Sequence, residues 1–115
     1  MNLIAMLPPR LTRADRAFVA YHQDNPDVYA ALVRLALELA DKGWDAYGIG
    51  SLFEVVRWHH AIQTVDRANT YKMANAHRAY YARLIMHREP RLRGFFKLCT
   101  QRSGNFAAVL GVINV

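Results

Sequence analysis

The chain has 115 residues, of which 53% are hydrophobic and 21% charged, a composition typical of one folded globular domain and unlike that of a disordered chain. No stretch of about 18 apolar residues is present, which excludes a membrane-spanning helix. The single cysteine, Cys99, excludes an internal disulfide or a cysteine-based zinc cluster. With a short apolar N-terminus that does not resemble a secretory signal, these features predict a protein of a reducing cytosol.

Positive charge is concentrated in the second half of the chain. The formal net charge is +6. Residues 1–60 carry a net charge of −1 and residues 61–115 a net charge of +7. This asymmetry indicates a nearly neutral scaffold followed by a surface that faces a polyanion. The alternative is a solvated basic face that only aids solubility.

Two helices are predicted in the first half of this single domain, after an N-terminal arm of residues 1–11. The first begins at Thr12, where "TRAD" resembles a capping box, and ends before Pro26. The second follows with Asn25 as its N-cap and stops at Gly43. Its apolar stripe has a period of 3.6 and consists of Val28, Tyr29, Leu32, Leu35, Ala36 and Leu39.

Two further helices complete a predicted helical core over residues 12–89. The third begins at Ser51, with Glu54 completing a capping box, and we expect its buried face to include Val55 and His59. The same face takes in Leu52, Val56 and Ile62. The fourth runs from about Asn75 to Glu89, with Tyr81 inward and Tyr80, Arg83 and His87 outward.

Residues 91–115 are predicted to form a short β-hairpin or tail. "RLRGFFKLCTQ" alternates as a strand does, "RSGN" is a turn signal, and "FAAVLGVINV" is a second apolar run. The fold prediction is therefore mainly α: a four-helix, helix-turn-helix or winged-helix-like domain with a C-terminal β-hairpin.

The order of these elements predicts an interface for duplex DNA. In a winged helix the last helix of the pair enters the major groove, and arginines on its outer face contact phosphates or guanine edges. The predicted strand would supply further phosphate contacts. The residues assigned to this interface are Lys72, Asn75, Arg78, Tyr80, Arg83, His87, Arg91, Arg93, Lys97 and Arg102.

Other functions remain open at this point. The same basic face suits an acidic protein of a host cell, and the apolar tail offers a contact for a homodimer. A metal-dependent hydrolase using His60, His77 or His87 would need ligands three or four residues apart on one helix face, and His59–His60 does not provide that spacing. We predict no catalytic residues, no metal site and no cofactor.

The aromatic residues outside this interface are predicted to pack. Trp44 is expected to cover one end of the core, Trp58 to lie at a packing boundary, and Phe95 to point outward while Phe96 points inward.

Three stretches of the chain together resemble a group of small proteins encoded by tailed phages and prophages. They are "YHQDNPDVYAALVRLA", "YGIGSLFEVVRW" and "AHRAYYARLIMHREPRLRGFF", which lie within Tyr21 to Phe96. The resemblance implies a setting, a bacterial cytoplasm during phage or prophage expression, and no particular activity.

Overall fold

Five helices make up most of the described protein. The computed structural model describes residues 11–63, 76–98 and 106–113, with the side chains of 60–63 excepted. The helices are α1 (Arg13–Asp24), α2 (Pro26–Asp41), α3 (Ile49–Gln63), α4 (His77–Arg88) and α5 (Phe106–Ile113), and a 3-10 turn, Pro90–Leu92, follows α4.

The start of α1 is the predicted capping box. The N–H of Asp15 donates to Thr12 Oγ1 at 3.1 Å, and the N–H of Thr12 donates to Asp15 Oδ2 at 2.8 Å. At the other end, the side-chain amide of Asn25 donates to Tyr21 O at 3.0 Å. Asn25 therefore precedes α2 as predicted, but its side chain bonds to the last turn of α1 and makes no capping hydrogen bond to α2.

The predicted stripe of α2 faces the core. Val28, Leu32 and Ala36 are buried, and the remaining stripe residues are partly buried at its edges. The helix ends as predicted at Gly43, whose φ of +97° lies in the left-handed region that glycine adopts without strain.

The predicted start of α3 is wrong, and its predicted buried face is confirmed only at Leu52 and Val56. The helix begins at Ile49, so Ser51 lies inside its first turn and is not a cap. Phe53 is buried beside Leu52 and Val56, whereas Val55 and His59, both predicted to be buried, are exposed. The side chain of Ile62, also predicted on this face, lies outside the described residues.

Helix α4 is the central helix of the domain. It packs against α2 and α3, and its rings also contact α1. Tyr81 is in the core as predicted. Six of its twelve side chains are buried, and they cover more than half of its circumference: His77, Tyr80, Tyr81, Ala82, Leu84 and Ile85.

The predicted C-terminal β-hairpin is not present in the described residues, because "FAAVLGVI" is helix α5 and no strand occurs in 11–63, 76–98 or 106–113. After α4, Pro90 opens the 3-10 turn and Leu92 is fully buried. Phe95 and Phe96 are both 3% exposed, which corrects the prediction that Phe95 points outward. The carbonyl of Phe95 accepts from the N–H of Tyr47 at 3.1 Å, so this segment is held by the α2–α3 loop.

Candidate interaction surfaces

Tyr80, predicted to stack outward on a base, points into the protein. Its hydroxyl donates to Asp15 Oδ1 at 2.6 Å, and its ring stacks on Phe18 with 4.8 Å between centroids. Asp15 is fully buried. Burial of the phenol, and next its hydrogen bond to Asp15, raise the pKa of Tyr80 to about 12. Tyr80 is a structural residue that joins α4 to the start of α1.

The predicted basic residues of α4 have different surroundings. Arg78 is half-buried, and its guanidinium lies against α3: a Cβ on Gly50 would stand 2.7 Å from Arg78 Nη1. Glycine at position 50 permits that close approach. Arg83 is half-buried and His87 is exposed. Lys72, Asn75 and Arg102 lie outside the described residues.

Two further arginines are engaged within the fold. Arg91 Nη2 lies 2.5 Å from Asp41 Oδ1, an exposed ion pair of the kind that contributes at most about 1 kcal/mol. Arg88, which was not among the predicted residues, places its guanidinium carbon 5.3 Å from the centroid of the Tyr29 ring.

Arg93 and Lys97 complete the predicted interface and are exposed. Neither has an ion-pair partner within the described part of the chain. Apart from Arg78, which lies against α3, and Arg91, which pairs with Asp41, four cationic or titratable side chains of the prediction are at least partly accessible. We call them the basic set: Arg83, His87, Arg93 and Lys97.

A buried group of aromatic rings around Phe18 was not anticipated. The ring of Phe18 stacks on His22 at 5.8 Å and meets His77 at 5.9 Å and Tyr81 at 4.9 Å. The Nδ1 atoms of both histidines have no hydrogen-bond partner in the described residues. Burial lowers the pKa of His77 and of His22, and for His22 the charge of Arg88 lowers it further.

His77 is buried and His22 half-buried, and both lie against the ring of Phe18. In the described ranges no group of three His, Cys, Asp or Glu side chains is placed to hold a metal ion. The pattern of apolar residues could not have indicated this pair, since the two histidines are 55 positions apart in sequence.

The protein should lose stability in mild acid because of these histidines. The pKa values of both histidines in the folded protein lie below the unfolded value of 6.5. Below pH 6.5 the unfolded chain therefore binds protons that the folded protein does not, and the free energy of unfolding falls as the pH falls. Each proton taken up only by the unfolded chain costs about 1.4 kcal/mol per pH unit. Urea unfolding at several pH values between 5 and 8 measures this slope.

Replacing both histidines that lie against Phe18, His22→Phe with His77→Phe, should flatten that pH dependence. The control is His87→Gln, an exposed position that should leave the slope unchanged. An unaltered acid slope in the double variant would show that other groups cause it.

A second surface, on α2 and α3, was missed from the sequence. Trp44 is 52% exposed and Trp58 60%, whereas Trp44 was predicted to cover one end of the core and Trp58 to pack at the boundary of its helix. Trp44 meets Tyr47 edge-on at 5.5 Å. Between the helices lies a groove of about 230 Å³, which we call the α2–α3 groove, lined by Leu35, Glu38, Leu39, Lys42, Tyr47, Ser51, Leu52 and Val55.

No protein family, curated protein or solved structure matches the chain. None of the helices formed by the described residues has the length and apolar character needed to cross a membrane.

Proposed function

We propose that this domain binds duplex nucleic acid through phosphate contacts made by the basic set. The proposal is carried by one observation: Arg93 and Lys97, which come after α4 and its 3-10 turn in sequence, are exposed and have no ion-pair partner in the described residues. Residues 76–98 contain six Lys or Arg and one acid, Glu89, so little local negative charge opposes a phosphate backbone.

The burial of Tyr80 changes the kind of binding that we propose. A helix that reads the major groove needs a broad free face. Six α4 side chains are not buried, and two of these, Arg78 against α3 and Arg88 over the Tyr29 ring, make contacts within the fold. The others are Ala79, Arg83, Met86 and His87. We therefore propose contacts with the backbone and little discrimination between sequences. A helix-turn-helix relationship of α3 and α4 remains part of this proposal, with α4 as its central helix, and the phage-like resemblance would supply the cellular setting.

The slope of binding affinity against salt concentration gives the number of phosphates that the protein neutralises. If Arg83, Arg93 and Lys97 each neutralise one phosphate, log Kd should rise against log salt concentration with a slope of about 2.7. Affinity would then fall about 40-fold between 50 and 200 mM salt. The measurement is fluorescence anisotropy with two labelled duplexes of unrelated sequence, which should bind equally.

A matched pair of variants separates a local surface from net charge. Arg93→Glu with Lys97→Glu should abolish the salt-dependent binding. Arg13→Glu with Arg34→Glu makes the same change in net charge at exposed positions of α1 and α2 and should weaken binding much less. The proposal fails if the wild type does not bind at low salt, or if both variants lose affinity equally.

A second candidate function is that of a protein-interaction module. It is favoured by the exposed Trp44 and Trp58, because tryptophan is enriched where interfaces concentrate their binding energy. The basic set would also suit an acidic host protein. Capture from a nuclease-treated host lysate distinguishes the two functions: a stoichiometric partner that survives nuclease and is lost in the Arg93→Glu, Lys97→Glu variant supports this candidate.

A further inference from the structure

The α2–α3 groove carries apolar surface that a soluble domain ordinarily covers. Val55 is 39% exposed, and it lies on the exposed face of α3 one turn before Trp58. Trp44 stands at the end of the groove where its ring touches Tyr47. Apolar exposure of this kind, bordered by polar residues, marks interaction sites.

The size of the groove argues against a small molecule as its occupant. Sites for drug-sized ligands enclose about 300–1,000 Å³, whereas this groove encloses about 230 Å³. A volume below that range fits one or two side chains of a protein partner. The anchors of protein interfaces fill pockets in this way.

Charge at the rim of the groove is self-complementary. Glu38 and Lys42 are exposed, lie one turn apart on α2, and have no ion-pair partner among the residues described. If two copies of α2 lie antiparallel about a twofold axis, Glu38 of each copy faces Lys42 of the other. The same register brings Trp44 of one copy level with Ala36 of the other, next to the groove residue Leu35.

We propose that the α2–α3 groove is the contact surface between two copies of this chain, with the rim pair Glu38 and Lys42 setting their antiparallel register. Helices of 16 and 15 residues are about 24 and 22 Å long at 1.5 Å per residue. A face of that length and two helices wide is at the small end of specific interfaces, so the dimer is a weak one with a micromolar Kd. It uses a face other than the basic set, and α5, the apolar tail expected to make this contact, packs against α1.

Sedimentation equilibrium of the full chain, free of nucleic acid, tests the proposal. With a micromolar Kd, the mass should rise from 13.2 kDa toward twice that value over a concentration range centred on the Kd. Glu38→Lys and Lys42→Glu should each raise the Kd at least tenfold, because each converts two symmetry-related attractions into repulsions. The charge swap that combines both substitutions should restore the wild-type Kd to within about threefold.

Rescue by the charge swap is specific to a twofold contact, since no unrelated partner would be restored by it. Asp24→Lys, the same charge reversal at the exposed end of α1, is the matched control and should leave the Kd unchanged. Val55→Asp places a carboxylate in the groove. This variant should be monomeric by sedimentation equilibrium and folded by circular dichroism. A wild type that stays monomeric at high concentration, or a charge swap that stays as weak as the single variants, overturns the proposal.

Discussion

Replacing Asp15 with alanine should lower the free energy of unfolding by about 3 kcal/mol. Two effects combine. The buried hydroxyl of Tyr80 loses its acceptor, which costs about 1–3 kcal/mol for an unsatisfied group. The start of α1 also loses the bond from the N–H of Thr12 to the Asp15 carboxylate, half of its capping box. Urea unfolding followed by circular dichroism measures the loss.

A double-mutant cycle identifies the Asp15–Tyr80 contact as the main cause. Tyr80→Phe removes the donor and keeps the ring that stacks on Phe18, so it should cost less than Asp15→Ala. The double variant should be more stable than the sum of the single losses predicts, because neither partner is then left buried alone. Strictly additive losses would mean that the two side chains are not coupled.

The start of α1, the boundary between α1 and α2 and the end of α2 were predictable, because those signals are chemical and local. Thr12 and Asp15 satisfy each other's backbone N–H groups across three residues, and no distant contact is needed. Pro26 similarly ends one helix and begins the next through its own ring. Gly43 ends α2 by adopting a positive φ.

The burial of Tyr80 was not predictable from the sequence of α4, although Tyr81 faces the core as predicted. Aromatic and apolar residues occur nearly all round this helix, so the 3.6-residue period does not limit the buried face to one side. Tyr80 is buried where Asp15, 65 residues away in sequence, provides the acceptor for its hydroxyl. In α3 as well, the apolar pattern allowed either Phe53 or Val55 to be buried, and Phe53 is the buried residue.

The error at the C-terminus has a different origin. An apolar run of eight residues fits a buried strand and a buried helix equally well on periodicity alone. "FAAVLGVI" becomes helix α5 where it packs against α1, a contact that the local pattern does not encode. Phe95 and Phe96 are neighbours in sequence, yet both are buried, because this segment is held by Met86 of α4, which accepts from the N–H of Phe96, and by Tyr47 of the α2–α3 loop.

For the candidate site, the sequence predicted the excess of positive charge, but it did not predict which individual side chains are exposed. The excess of Lys and Arg follows from counting, and Arg93 and Lys97 are exposed as expected. It could not show that Arg91 pairs with Asp41 in a different helix. Nor could it show that Trp44 and Trp58 are exposed, since tryptophan is on average a well-buried residue.

Phe18→Ala should lower the free energy of unfolding by about 3–5 kcal/mol, which would leave a domain of this size barely folded. The ring is fully buried and touches His22, His77, Tyr80 and Tyr81, so its removal opens a cavity between α1 and α4 that the aromatic neighbours fill only in part. Phe18→Leu retains most of the volume and should cost less than about 1.5 kcal/mol. Urea unfolding of both variants at pH 7.5 tests the size of the effect.

The same variant also tests the origin of the acid sensitivity. If the cavity admits water to the two imidazoles, their pKa values in the folded state should return toward 6.5, and the loss of stability below pH 6.5 should become shallower. If Phe18→Ala lowers the free energy of unfolding by less than about 1 kcal/mol, the ring does not have the central position in the core that we assign to it. An unchanged acid slope would instead show that Phe18 packs the core without controlling the hydration of His22 and His77.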